Sequence, residues 1–333
     1  MSVSRRTVLG TIGTATIGLA IWSPVQLARA AGPLRLRAIF ETPLEEPFVT
    51  QLHLAMTRIA AEAGLDYQHS EQVKAADFSR VLRQWGEEGV ELVVGDAYGT
   101  EQICRRAAKD YPKTAFVMGS AAGLTEPNFS TFYGVTTEAA YLAGMLAGGL
   151  TKSGKIGAVS GVALPSTYAL LNAYRAGARE TNPSVLMKAS YIGSFFDPPK
   201  AKEATLAQAD AGVDVVFAER VGVIEGAAEK NILAIGNMTD QMAINPKVVV
   251  TSVIWDPAPV IKAAVEQVKA GTYKAQDFSG LENVANKGNY LAPYGAFDAT
   301  IPQAMKAAIA KRQQEIAAGT FKVANDETET KSE

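Results

Sequence analysis

What most constrains this chain is an order of elements: short apolar runs alternate with amphipathic stretches from residue 36 to residue 318. The runs at 36–40, 92–94, 115–118, 156–160, 186–191, 213–217, 232–235 and 248–254 are too short for helices. Between the first two, Val49, Leu52, Met56, Ile59 and Ala63 recur at helical spacing, and Phe78, Val81, Leu82 and Trp85 do the same. Pro47 suits a first helical turn, where a missing N–H costs nothing. Strands this apolar are covered on both faces, and their alternation with helices implies parallel sheets. After 132–135 the pattern restarts with a helix over 138–150. Two successive runs predict an α/β protein with two doubly wound parallel-sheet lobes. Ligands of such sheets bind beyond the carboxyl ends of the strands, so two facing lobes place the site in the cleft between them.

The N-terminus points to export. Ser4-Arg5-Arg6-Thr7-Val8-Leu9 is a twin-arginine pattern, followed by a Gly-interrupted apolar stretch over 8–22 and a small-x-small site at Ala28-Arg29-Ala30. Residues 1–30 are therefore expected to be a Tat-type signal peptide, with the mature chain starting at Ala31. The single cysteine, Cys104, lies deep in the chain and reads as a small core residue, which leaves none near the cleavage site to carry a lipid. The expectation is a soluble periplasmic protein that is not lipid-anchored. A net charge of −2 supplies no basic field for nucleic acid. The polar residues 323–333 are expected to form a disordered tail.

Catalytic signatures are missing from the sequence. The two histidines, His53 and His69, are few and separated along the chain, and no serine is framed as G-x-S-x-G. Residues 149–155 match the start of a phosphate loop. Ile156 then stands where a metal-binding Ser or Thr belongs, and the order is helix–loop–strand instead of strand–loop–helix, so that reading is rejected. Neither cofactor nor metal is expected, and the chain reads as a binding protein and not an enzyme.

The loops that follow the strands are unusual. Glu41, Glu45, Glu46 and Phe48 come after the first strand, and Asp96 and Tyr98 after the run at 92–94. Phe195, Phe196 and Asp197 follow 186–191; Glu219 and Arg220 follow 213–217; Asp240 follows 232–235; Trp255 and Asp256 follow 248–254. Rings that sandwich a flat heteroaromatic ligand, with carboxylates accepting from its N–H groups, would suit this set. Taken singly, Asp96 and Asp197 read equally well as helix caps, Glu45 and Glu46 as favouring a helix N-terminus, and a lone Phe as core.

At these loops the sequence resembles the basic membrane protein family of ABC-transporter binding proteins, whose best-known members bind purine nucleosides or purine bases. The resemblance rests on Tyr191-Ile192-Gly193-Ser194-Phe195-Phe196-Asp197-Pro198-Pro199-Lys200, Gly212-Val213-Asp214-Val215-Val216, Phe132-Tyr133-Gly134, Gly236-Asn237-Met238-Thr239-Asp240-Gln241 and Thr251-Ser252-Val253-Ile254. It implies a type I periplasmic-binding-protein fold with two lobes joined by three crossovers. The first lobe would comprise 33–137 plus 256–285, and the second 138–255 plus 286–322. The implied ligand set is Glu41, Phe48, Tyr98, Phe195, Phe196, Asp240 and Trp255, with Phe195 or Phe196 stacking on the ligand and Asp240 as the acidic contact. The chain departs from the family at Pro43-Leu44-Glu45-Glu46-Pro47, where a glycine-containing loop is usual, and at Trp255, where many members carry Lys or Asp. The implied role is capture of a purine base, nucleoside or other small heterocycle for delivery to an inner-membrane permease and ATPase complex. A sensor subunit for a signalling receptor, or an exported nucleoside hydrolase, is the alternative.

Overall fold

The computed structural model describes residues 32–120, 122–134 and 136–333. The twin-arginine motif and the cleavage site lie outside the described residues.

The first sheet contains β1 (Arg35–Ile39), β2 (Asp66–Ser70), β3 (Leu92–Asp96), β4 (Ala115–Gly119) and β5 (Phe129–Phe132), in the order β2-β1-β3-β4-β5 and all parallel. Helices α1 (Pro47–Ala63), α2 (Ala75–Glu88) and α3 (Glu101–Asp110) connect its strands. Helix α1 forms because its apolar residues repeat on one stripe. Val49, Leu52, Met56 and Ile59 are buried, Pro47 opens the first turn, and Gly64 in the left-handed region (φ 63°) ends it.

The chain then crosses into a second α/β unit: α4 (Thr137–Leu150), β6 (Lys155–Ser160), α5 (Pro165–Thr181), β7 (Leu186–Tyr191), α6 (Pro198–Asp210), β8 (Val215–Ala218), α7 (Val223–Lys230), β9 (Leu233–Met238) and β10 (Val249–Trp255). It returns to the first lobe as α8 (Ala258–Ala270), whose Val260, Ile261, Ala264 and Val265 share a core with Leu36, Leu52 and Met56. A third crossing leads to β11 (Asn289–Leu291) and α9 (Gln303–Ala317), where Ile309 and Ile316 join the second core. The second sheet runs β11-β10-β9-β8-β6-β7. Two doubly wound lobes joined by three crossovers are thus the observed architecture.

Three details differ from the sequence reading. Strand β2, Asp-Tyr-Gln-His-Ser, is an edge strand with partly exposed residues, so no apolar run announces it. Strand β11 pairs antiparallel with β10, so the second sheet is mixed. The tail is ordered where disorder was expected from its polarity. The Asn172 side-chain amide donates to the Asp326 and Thr328 carbonyls, Thr330 is buried, and Glu333 pairs with Arg179. Its polar groups are spent on the protein instead of on water.

The glycines of α4 explain its path. A Cβ at Gly144 would lie 1.9 Å from the Tyr174 carbonyl oxygen, and one at Gly177 would lie 1.9 Å from that of Tyr141. Helices α4 and α5 therefore pack backbone to backbone. The phosphate-loop look-alike also has a structural role. The Lys152 and Ser153 N–H groups and the Thr151 hydroxyl all bind the Asp214 carboxylate, at 2.6–2.7 Å, so the loop already cradles an anion of its own chain.

Candidate functional site

Strands β1, β3, β8 and β9 all end toward the meeting of the two lobes, and α1 begins there. Glu46 is the N-cap of α1. Its Oε2 accepts the Val49 N–H at 3.1 Å, and Oε1 lies 3.7 Å from Arg220 Nη1, just beyond β8. Gln51, one turn further along α1, donates to the Met238 carbonyl at the end of β9, 2.8 Å away. Met238 sits at φ 64°, a left-handed conformation that a non-glycine residue holds only when its surroundings fix it. These contacts join the first lobe to the second.

The first-lobe wall is acidic. Glu41 follows β1, and its Oε1 is buried without a hydrogen-bond partner. Gly99 makes room for it, since a Cβ there would fall 2.5 Å from Glu41 Oε2. Asp96 closes β3 and is buried. Desolvation, reinforced by the charges of Glu41 and Glu46, pushes its carboxyl up to about 7. Burial likewise raises Glu46, against the opposing pull of Arg220. The cap of α3 is Thr100, so Asp96 is not the helix cap that the sequence also allowed.

An aromatic stack lies beside the carboxylates. Phe48 lies face to face with Trp255 at 4.6 Å and 7°, with Phe132 at 6.2 Å and Tyr98 edge-on at 6.4 Å. Tyr98 is half exposed, and its hydroxyl donates to the Tyr133 carbonyl at 3.0 Å. Trp255 is fully buried, and its indole N–H donates to Glu282, which also accepts from the Tyr133 and Gly134 amides. It therefore serves as a floor under Phe48 at a crossover, not as a surface residue of the cleft.

On the second lobe, Phe195 and Phe196 are exposed in the loop after β7. The Phe195 carbonyl accepts from Arg220 Nη1 at 2.7 Å, and its ring lies 5.5 Å from that guanidinium. Arg220 is buried and also donates to both Glu219 carboxylate oxygens. Asp197 is the N-cap of α6, accepting the Lys200 N–H. Asp240 is exposed, and its Oδ1 closes a turn on the Met242 N–H at 3.0 Å. The expected acidic contact is thus engaged as a turn-former. The buried polar group at this end of β9 is Asn237, 1% exposed, with neither side-chain atom hydrogen-bonded. In the sequence, Asn237 stood only as part of a family-like string.

The two histidines meet although they are apart in sequence. Their ring centroids are 4.7 Å apart, and His53 Nδ1 is 3.0 Å from the Tyr67 hydroxyl. Among the described residues no group of three or more His, Cys, Asp or Glu is arranged to hold a metal ion. No described helix is long and apolar enough to cross a membrane.

A family model for the PnrA-like ABC transporter substrate-binding proteins, Bmp, matches residues 42–283. The chain belongs to this family. Among curated relatives, a Haloferax volcanii protein named for ABC-transporter glucose binding is 28% identical over 65% of this chain and 56% of its own length. A purine-binding protein of Brucella abortus is 26% identical over 61% of this chain and 59% of its own. An ABC transporter nucleoside-binding protein of Lactococcus lactis is 27% identical over 64% and 57%. The matches thus span less than two thirds of these relatives. Among solved structures, an ABC transporter solute-binding protein from Conexibacter woesei superposes with a TM-score of 0.72 at 25% identity, covering 88% of this chain and 99% of its own. A transcriptional activator from Bacillus halodurans, at 17% identity and TM-score 0.73 over 86% and 99%, shares the fold.

Proposed function

We propose that this Bmp-family substrate-binding protein captures a small planar nitrogen heterocycle, a purine base or nucleoside, between its lobes and delivers it to an ABC permease from the periplasm. The observation that carries this reading is the chemistry of the two walls. Phe48 and Tyr98 on one side and Phe195 and Phe196 on the other offer ring faces, while Glu41 and Asp96 offer acceptors. The buried guanidinium of Arg220 in the cleft already faces Glu219 and Glu46. A phosphorylated ligand would therefore meet uncompensated carboxylates, and a neutral ligand rich in N–H donors fits better. Of the residues expected from the sequence, we retain Glu41, Phe48, Tyr98, Phe195 and Phe196 as ligand contacts and add Asp96 and Asn237. We also propose lobe boundaries at 33–137 plus 256–285 and 138–255 plus 286–322.

A second reading, a sugar, is favoured by the name of the Haloferax relative. Thermal-shift and calorimetric titration against adenine, hypoxanthine, adenosine, guanosine and glucose separates the two. A ligand at about 100 times its dissociation constant stabilises the fold by about 2.7 kcal/mol, so a clear rise in Tm is expected for at least one purine. A response to glucose alone would replace the purine reading by the sugar one. The same purified protein, assayed for nucleoside cleavage, is expected to show no turnover.

A further inference from the structure

Arg220 connects three parts of the molecule. Its Nε and Nη2 are held by Glu219, which in turn binds the Ser160 hydroxyl and the Gly161 N–H, both at 3.0 Å, and so fixes the ends of β6 and β8 together. The remaining nitrogen, Nη1, carries two hydrogens and faces two acceptors: the Phe195 carbonyl at 2.7 Å and the Glu46 Oε1 of the opposite lobe at 3.7 Å. Both ion-pair partners are almost completely buried, with side chains 8% and 6% exposed. Such a pair is screened little by salt, and removing one member leaves a buried charge behind.

We propose that Arg220 is the positioning residue of the cleft, one guanidinium that both seats the Phe195 ring and latches the second lobe to Glu46 of the first. Ring placement and lobe closure are then set by the same side chain. A ligand that inserts beside Phe195 finds the loop already in place, and lobes held by Glu46 need less of its binding free energy to close. This role rests on the cleft being the ligand site, yet the latch itself is a property of the free protein. Lysine does not replace arginine here, because a single ammonium cannot serve Glu219 with a planar fork and reach Phe195 and Glu46 as well.

The test separates the latch from the ligand. Glu46→Gln keeps an amide oxygen to cap α1 through the Val49 N–H and turns an uncharged NH2 group toward Arg220 in place of the carboxylate oxygen. Spin labels at Lys113→Cys on the first lobe and Ser184→Cys on the second, both exposed positions, report the interlobe distance in full-length mature protein without ligand. Glu46→Gln and Arg220→Lys are each expected to move the distribution toward longer distances, and the double variant to move it no further than Arg220→Lys alone. Arg220→Lys should in addition speed hydrogen exchange over 194–197, which Glu46→Gln should leave as in the parent. For whichever purine binds the parent, both variants should weaken affinity roughly tenfold, mainly through faster dissociation. An unchanged distance distribution in Glu46→Gln overturns the latch, whatever the ligand result. Longer distances in the variants with no purine bound by the parent would sustain the latch and sink the purine reading.

Discussion

Between α4 and α5 the backbones themselves touch, with every residue from Ala139 to Gly148 buried and no room for even a methyl group at Gly144 or Gly177. At the cleft wall, in contrast, carboxylate and amide groups are left short of partners: Glu41 Oε1 and the Asn237 amide have none, and Asp96 is held beside two other carboxylates, whereas on α5 it is the Tyr174 hydroxyl that goes unpaired. The seam places complementary atoms in contact to near the limit of packing density, which gives stability and a single arrangement. The cleft forgoes hydrogen bonds worth about 1–3 kcal/mol each when buried groups go unpaired. Proteins retain such deficits where a ligand supplies the missing partner. The contrast separates the part of the fold that builds the lobe from the part that uses it.

The largest effect is expected at the seam. Gly144→Ala drives a methyl group into the Tyr174 carbonyl, and neither helix backbone can yield without moving the other, so a loss of about 3 kcal/mol or more is expected in urea unfolding. Gly280→Ala, with open space around it and an ordinary backbone, is the control and should change stability by less than about 0.5 kcal/mol. Equal stability of the two variants would mean that the seam has slack, and the comparison would break.

A gain is expected at the cleft. Asp96 keeps its proton up to about 7 in the folded chain but releases it near 3.8 when unfolded. Between those values the unfolded state binds fewer protons, so the contribution of Asp96 to stability falls as pH rises from about 4 to about 7, then levels off. The full shift corresponds to about 4 kcal/mol, and water entering the cleft reduces it. Asp96→Asn removes the charge at constant shape. It should be more stable than the parent by about 2 kcal/mol at pH 8 and equal to it at pH 4. Denaturant curves at the two pH values check this, and a variant destabilised at pH 8 would mean that the Asp96 charge is paired in the fold.

The same contrast explains what was legible in the sequence. Strands β3, β4, β8 and β10 are buried on both faces and read directly as apolar runs, and α1 and α2 read as stripes, because burial is a local constraint on residue type. The carboxylates and rings after the strands were legible as a candidate set, since the topology of doubly wound sheets brings the strand ends together where the proposed site lies. Individual roles were not. Trp255 ends β10 and Asp240 sits in the loop after β9, but one is covered by Phe48 and tied to Glu282, and the other turns its oxygen back to Met242. Arg220 and Glu46 are far apart in the chain and meet only after both lobes have formed, so no local pattern marks their pairing. Strand β2 and the C-terminal tail were missed for one reason: both are polar, and polarity reports contact with water or with polar partners without telling which.

The tail sharpens the comparison from a third side, as a polar segment with its groups satisfied. Strand β7 is the edge of the second sheet, and an uncovered edge offers unpaired N–H and C=O groups to other strands. Ser332 Oγ accepts from the Ala189 N–H and donates to its carbonyl, both at 2.9 Å, and the Glu333 N–H reaches the Met187 carbonyl at 3.0 Å. Asn172, 5% exposed, holds the strap in place, with its amide on two tail carbonyls and its oxygen accepting from Thr330 at 2.8 Å. Polar contacts of this kind exchange water for protein and contribute only about 1 kcal/mol net apiece. Asn172→Ala should therefore cost about 1–2 kcal/mol, less than the seam variant. Arg179→Ala, which removes a half-exposed partner of Glu333, should cost no more than about 0.5 kcal/mol. Local release is the more telling readout, because an edge strand opens without global unfolding. Hydrogen exchange at Ala189 should rise in Asn172→Ala while the β3 and β8 amides keep their protection. Unchanged exchange at Ala189 would show that β7 is guarded without the tail, and that its polar contacts rest on the lobe without covering the edge.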